Sequence, residues 1–306
     1  MWLIFAVACV ALLSQVPKSS VVAVAPLAFI TGASSGIGQA LAQRYYSAGY
    51  RLVLVARRSS LIDDWVLKNE LDHSRVHSMS ADVSVIESIG ASGWECLERF
   101  GVPDVVIANA GISVGMDTSE RVDLDVMARL FATNNVGMAA TFHPFLAAMR
   151  QRGSGALVGI GSVAGIRGLP GHGAYCASKA AVISYMESLR GELRGSGVDV
   201  VTLCPGYVDT PLTRQNAYAM PFLMTPQAFA CSAENSSPSN IMALARAKPA
   251  IAGSKAVMPP VTKTPSDASG NRKRALSAAM HTSAFSIHSS PAPSTQPCTA
   301  ATTGLL

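Results

Sequence analysis

Apolar and polar positions along the chain fall into two alternating kinds of block. Short runs at Val21–Ile30, Arg51–Ala56, Asp104–Ala108, Ala156–Gly161 and Val198–Leu203, with the more polar Arg75–Ser80, have the length and β-branched content of strands. Most lack the alternation of a half-exposed strand, as expected where both faces are covered. Between them lie longer segments with helical spacing: Gln39–Tyr46, Leu61–Leu71, Val85–Phe100, Val122–Arg150 and Tyr175–Arg194. Strand and helix in strict alternation predict an α/β fold, a doubly wound parallel sheet in a single domain with right-handed crossovers. Val122–Arg150 is the longest helix and contains Asn134, Asn135 and Pro144. Asparagine is mildly unfavourable inside a helix, so its presence there predicts a local backbone bond or a function, and the proline predicts a local bend. Thr225-Pro226 has the form of a capped start of one more helix.

The ends depart from this pattern. Met1–Leu13 is apolar throughout, but it lacks a basic leading segment and is shorter than the roughly 20 residues that span a bilayer. Three readings stay open for residues 1–22: an upstream-start artefact or loosely attached extension, a membrane-anchoring or signal-like segment, and an added strand. A cytoplasmic location is expected, with membrane association through residues 1–13 as its rival. Residues 231–306 hold 15 Ala, 13 Ser, 8 Pro and 7 Thr, with Phe285 as the only aromatic residue. Such a segment buries little surface and reads as disordered, with Ile241–Lys248 at best a short helix. The domain is therefore expected over 23–230, with the tail a frameshifted or fused segment. An intact reading frame through position 306 counts against that origin.

Charge and cysteine narrow the function. The net charge is +5, yet seven of the 24 basic and two of the 19 acidic residues lie in the tail, leaving 17 of each before it. A neutral body gives no reason to expect a nucleic-acid partner. The six cysteines show no pairing rhythm and no Cys-x-x-Cys, which points to a reducing compartment and to neither a metal site nor a disulfide framework.

The candidate chemistry sits at strand ends. After the first strand comes Thr31-Gly-Ala-Ser-Ser-Gly-Ile-Gly38 and then a helix. This layout places backbone N–H groups and a helix N-terminus under a pyrophosphate, with Gly32 for the turn, Gly36 for close approach and Gly38 for helix–strand packing. Ser34, Ser35 and Ile37 fill the turn. The second strand ends in Ala56-Arg57-Arg58. An acidic residue there would accept a ribose 2′-OH; Arg57 and Arg58 instead suit a 2′-phosphate, which predicts NADP(H) over NAD(H). Asp82 and Val83 are placed for an adenine edge, and Asn109-Ala110-Gly111 forms a small-residue turn beside the cofactor. Ser162 closes the fifth strand, at the end where open parallel sheets bind ligands. Tyr175 and Lys179, four residues apart, share one helix face. The ammonium favours the phenolate, so the tyrosine, whose ordinary pKa is near 10, becomes able to pass a proton in either direction. His172 and Cys176 nearby read as structural. Ala217–Met224 is apolar with little pattern and reads equally as loose packing or as a lid over an apolar substrate.

Together, Thr31–Gly38, Asn109–Gly111, Asn134, Ser162, Tyr175-x-x-x-Lys179 and Pro205-Gly206 resemble the classical short-chain dehydrogenase/reductase family, in order and spacing, from about Pro26 to Ala230. The resemblance implies a Rossmann-type fold with Tyr175 as acid/base and Lys179 as its partner, also bound to the nicotinamide ribose. Ser162 holds the carbonyl or alcohol oxygen, and Asn134, chosen over Asn135 because Gly137 completes Asn-x-x-Gly, anchors a proton-relaying water. Pro205, Gly206, Val208 and Thr210 complete the cofactor site. The expected function is an NADP(H)-dependent oxidoreductase interconverting a small apolar ketone or aldehyde and its alcohol. The alternative is a non-catalytic dinucleotide-binding protein with a compromised pocket, because the family's final helix and strand are not evident after Ala230. A homodimer through the two long helices is left open.

Overall fold

The computed structural model describes residues 25–216 and 219–235, all within the first of the two units into which the chain divides, Met1–Ala250. The expectations for residues 1–22 and for most of 231–306 lie outside the described residues. Six strands, β1 (Leu27–Thr31), β2 (Arg51–Ala56), β3 (Val76–Ser80), β4 (Val105–Ala108), β5 (Gly155–Ile160) and β6 (Val198–Leu203), alternate with helices. These are α1 (Gly36–Ser47), α2 (Ser60–Lys68), α3 (Ile86–Phe100), α4 (Asp123–Phe131), α5 (Gly137–Arg152), α6 (Gly173–Glu192) and α7 (Pro226–Asn235). All pairings are parallel and the strand order is β3-β2-β1-β4-β5-β6. The order reverses between β1 and β4, so their C-terminal ends diverge into the crevice where such sheets take ligands.

Period-two side-chain placement divides each buried strand between two cores. Ala28 and Ile30 of β1, with Leu52, Leu54 and Ile107, face α1, α2 and α7. Leu27 and Phe29, with Val53, Val55 and Val106, face α3, α5 and α6. Phe29 is fully buried and its ring lies 4.9 Å from that of Phe145 on α5. Both faces are thus apolar, the physical reason these strands read as unbroken runs.

The long segment predicted over Val122–Arg150 forms as α4 and α5, joined by a π-helical turn at Ala132–Val136. The departure from α geometry therefore falls at the two asparagines; Pro144 lies within α5, buried against Gly93 of α3. Gly153, at φ +72°, ends α5 in the left-handed conformation. Helix α7 starts as its sequence predicts, with the Thr225 hydroxyl accepting the Ala228 N–H at 3.1 Å. It continues to Asn235, past the expected boundary at Ala230, and seats Phe229 and Ala230 in the first core. A helix following the substrate loop is therefore present.

Among the described residues β6 pairs only with β5. The Leu203 carbonyl accepts from Gly161 on the β5 side, so by alternation the Val200 carbonyl points outward. There it accepts from Arg190 Nε at 2.9 Å.

Candidate active site

The turn after β1 is locked to the end of β4. Thr31 Oγ1 accepts from the backbone N–H groups of Asn109 and Ala110, each at 3.2 Å. Asn109 Nδ2 donates to the carbonyls of Thr31 (3.0 Å) and Gly32 (3.2 Å). Asn109 thus contributes the shape of the turn, its amide being committed to the protein. Gly32 has φ +66°, and a Cβ on it would stand 2.8 Å from the Ala110 Cα. Gly38 is buried, and a Cβ there would meet the Gly32 carbonyl oxygen at 2.2 Å. Glycine at both positions lets α1 start tight against β1 with its N-terminus at the crevice.

One cleft runs along the C-terminal ends of the strands. Its lining includes Gly32, Ser34, Ser35, Gly36 and Ile37 from the turn, Arg57 and Arg58 after β2, Asp82 and Val83 after β3, and Asn109, Ala110 and Gly111 after β4. Ser162, Tyr175, Lys179, Pro205, Gly206, Val208 and Thr210 line it as well. Of the residues singled out in the sequence, Gly38 and Asn134 lie behind the wall, both buried. Arg57 and Arg58 are exposed, and no acidic side chain follows Ala56 at this end of β2. The Asp82 carboxylate accepts from the Ser84 N–H (2.9 Å) and hydroxyl (2.7 Å), and these bonds hold its pKa below the usual carboxylate range.

At the β5 end, Ser162 is 7% exposed and its Oγ accepts the Ala164 N–H at 3.1 Å. Its own proton is therefore free to point into the cleft. Tyr175, half-buried, stands one turn before Lys179 on α6, with the lysine Nζ 5.8 Å from the ring centroid. Lys179 Nζ donates to the Ile160 carbonyl at 2.8 Å. Burial pushes its pKa from 10.5 down to about 8, against a small opposing pull from the Cys204 thiol. Cys204 is exposed as a residue but its sulfur turns in toward Gly161, 2.9 Å from where a Cβ would sit. Burial raises the thiol's pKa, while the Ser162 N–H and the Lys179 amine oppose that shift. Nothing in the sequence singled out Cys204, although it directly precedes Pro205-Gly206.

The lysine has a consequence for the free protein. Below about pH 8 both folded and unfolded chains carry its proton. Between about 8 and 10.5 the unfolded chain still holds a proton that the folded chain has lost. Folded stability therefore rises with pH across that window. Urea midpoints are expected to climb there relative to Lys179→Met, and parallel curves for the two proteins would exclude it.

Asn134 lies in the π turn and clasps the segment that follows β4. Its Oδ1 accepts from Ile112 N (2.9 Å), and its Nδ2 donates to Ile112 O and to Ser178 Oγ, both at 3.0 Å. A Cβ on Gly111 would stand 3.2 Å from this Oδ1 and 3.6 Å from Lys179 Nζ, so asparagine and lysine meet behind one residue of the cleft wall. The turn, the paired arginines and the buried lysine together fit a nicotinamide dinucleotide: backbone N–H groups toward phosphates, cations toward a further anion, and an amine toward a ribose. No described helix is long and apolar enough to cross a membrane, and the described residues hold no cluster of metal-ligating side chains.

Comparison with known proteins gives this arrangement a lineage. The family model for short chain dehydrogenases matches residues 26–220. An uncharacterized oxidoreductase of Myxococcus xanthus is 39% identical over 203 residues, 64% of this chain and 78% of that one. An alcohol dehydrogenase of Thermococcus sibiricus, solved with 5-hydroxy-NADP, superposes with a TM-score of 0.61 at 28% identity, covering 69% of this chain and 90% of its own. A 3-ketoacyl-(acyl-carrier-protein) reductase of Brucella melitensis, solved with NADH, gives 0.64 at 27%, covering 71% and 93%. Against several animal relatives the chain spans about three fifths of their length. With its parallel sheet, glycine turn and Tyr-x-x-x-Lys helix, the chain belongs to the short-chain dehydrogenase/reductase family of oxidoreductases.

Proposed function

We propose that this protein is an NADP(H)-dependent oxidoreductase interconverting a small apolar ketone or aldehyde and its alcohol, with Ser162, Tyr175, Lys179 and Asn134 as its proton-transfer group. The observation that carries the reading is one cleft lined both by Ser162, Tyr175 and Lys179 and by Arg57 and Arg58. The cofactor, when bound, supplies or accepts the hydride; the protein supplies placement and the proton. Gly32–Gly38 and Thr210 hold the phosphate region, Arg57 and Arg58 the 2′-phosphate, Asp82 and Val83 the adenine edge, and Lys179 the nicotinamide ribose. Ser162 donates its free proton to the carbonyl oxygen. Tyr175 protonates the alkoxide that hydride addition leaves, and takes that proton back in the alcohol-to-carbonyl direction. Lys179, already desolvated, favours the phenolate left on Tyr175. The Asn134 amide is engaged with Ile112 and Ser178, so the water that returns a proton from Lys179 rests on its main-chain carbonyl.

The reading fits a cytoplasmic enzyme with no nucleic-acid partner. The test is loss of NADPH absorbance with folded protein across a panel of apolar aldehydes and ketones; silence across the panel sinks the reading. NADH in place of NADPH should work less well. Replacing Arg57 and Arg58 by alanine should raise KM for NADPH by roughly tenfold to a hundredfold, the worth of one charge-assisted phosphate bond, and leave KM for NADH alone. An equal rise for both cofactors removes the arginines from the 2′-phosphate.

A further inference from the structure

Ser178, between Tyr175 and Lys179 in the chain, takes no part in the proton route above, yet it is 0% exposed and makes three hydrogen bonds of its own. Its hydroxyl donates to the Tyr175 carbonyl at 2.8 Å and accepts from Asn134 Nδ2 at 3.0 Å. Its carbonyl accepts from Asn135 Nδ2 at 2.8 Å. The partner asparagines both belong to the π turn at Ala132–Val136, and Asn134 continues to the backbone of Ile112 in the cleft wall. Asn135 holds its grip although its Oδ1 is buried with no partner, an arrangement that costs about 1–3 kcal/mol. Two consecutive asparagines of the π turn thus hold one residue, Asn134 at its hydroxyl and Asn135 at its carbonyl. Only a three-residue helix at Val163–Gly165 intervenes between Ser162 and the loop leading to α6.

We infer that Ser178 is a positioning residue, the bolt that fixes the Tyr175–Lys179 turn of α6 against the π turn and through it against Ile112. Resting on the proposed proton-transfer role of Tyr175 and Lys179, this assigns the neighbouring asparagine, Asn135, a part as well: it holds the same residue from its other side. The groups facing Lys179 are the Tyr175 ring and the Cys204 thiol, from its own helix and from the end of β6. With the bolt removed, the amine is less closely held beside the phenol, and phenolate formation on Tyr175 becomes harder.

The test compares wild type, Ser178→Ala, Ser178→Thr and Asn135→Ala. The first readout is an absorbance titration of the Tyr175 phenolate, isolated by subtracting the Tyr175→Phe counterpart of each protein, and it requires neither substrate nor cofactor. Ser178→Ala should move the midpoint upward, Asn135→Ala should move it the same way by less, and Ser178→Thr, which keeps the hydroxyl, should restore it. On a carbonyl that the wild type reduces, kcat of Ser178→Ala should fall roughly tenfold to a hundredfold, the scale of a small misplacement, with KM for NADPH unchanged. A midpoint that stays put in a folded Ser178→Ala overturns the inference, even if thermal stability drops, because that marks packing alone. Should Ser178→Ala fail to fold, an unmoved midpoint in Asn135→Ala overturns it equally. A midpoint that moves in a protein silent toward every carbonyl would defeat the proposed function and leave the positioning role standing.

Discussion

Tyr175→Phe is expected to lower kcat by roughly 10²–10⁴-fold, the range that a positioned acid/base supplies, while NADPH binding stays at the wild-type level. Phenylalanine removes the hydroxyl and keeps the ring. The ring stays half-buried on the first turn of α6, and the Lys179 amine keeps its bond to the Ile160 carbonyl, 2.8 Å away. The glycine turn and the arginines after β2 are untouched. The phenolic hydroxyl is lost, and with it the proposed proton donor to the alkoxide. Ser162 cannot substitute, because a serine hydroxyl supports charge by donating a hydrogen bond and does not ionise near neutrality. Stopped-flow turnover beside a fluorescence titration of NADPH separates the two quantities. Loss of binding in step with turnover would mean that Tyr175 shapes the cofactor site instead, and undiminished kcat would remove it from the chemistry.

Gly38→Ala is expected to be the most damaging single methyl in the cofactor half. An added Cβ would fall 2.2 Å from the Gly32 carbonyl oxygen and 2.5 Å from Asn109 Nδ2. The first is backbone, and the second is tied to the carbonyls of Thr31 and Gly32, so neither yields by a rotamer change. The helix must retreat from β1, carrying its N-terminal N–H groups out of the crevice. Overpacking of this kind costs typically about 1–3 kcal/mol, and more where backbone must move. NADPH affinity should fall at least tenfold, since one misdirected phosphate bond is worth about that much. Gly90→Ala is the control: it lies inside α3 with nothing within 4 Å of the added Cβ, and alanine in a helix interior is favoured by about 0.5–1 kcal/mol. Equal melting temperatures and cofactor affinities for Gly38→Ala and wild type would refute the packing argument.

The parts of this fold legible in the sequence are those set by local rules. Strands covered on both faces are mostly apolar, so β2 and β6 could be bounded to the residue, Arg51–Ala56 and Val198–Leu203, although β6 carries the exposed Asp199. The first strand proved shorter among the described residues, Leu27–Thr31, because apolar content alone does not say where pairing with β2 begins. The glycine turn, Ser162 at a strand end and the Tyr175–Lys179 spacing were readable because each expresses a backbone conformation or a helical period. Asn134 and Asn135 were readable as an anomaly, but not in their consequence. Their partners, Ile112 and Ser178, stand 22 and 43–44 residues away, and no periodicity encodes a contact across such a gap. Cys204 facing Lys179 was hidden for the same reason. Asn109 lines the cleft, as its motif predicts, and its amide has a second task that the motif does not express: it secures the turn that shapes the cleft.

The guanidinium of Arg190 occupies the rim that β6 presents among the described residues. An unpaired strand offers a row of carbonyls and N–H groups to any passing extended chain. Here the Val200 carbonyl is already occupied by Arg190 Nε, the same guanidinium reaches Thr202 Oγ1 at 3.4 Å, and Asp199, the second residue of the strand, is an exposed carboxylate. A strand approaching this rim from another molecule would first have to displace a cation and then accommodate an anion. The same barrier confronts any later segment of the chain that would extend the sheet here: to pair with β6, it must bring its own partner for the displaced arginine.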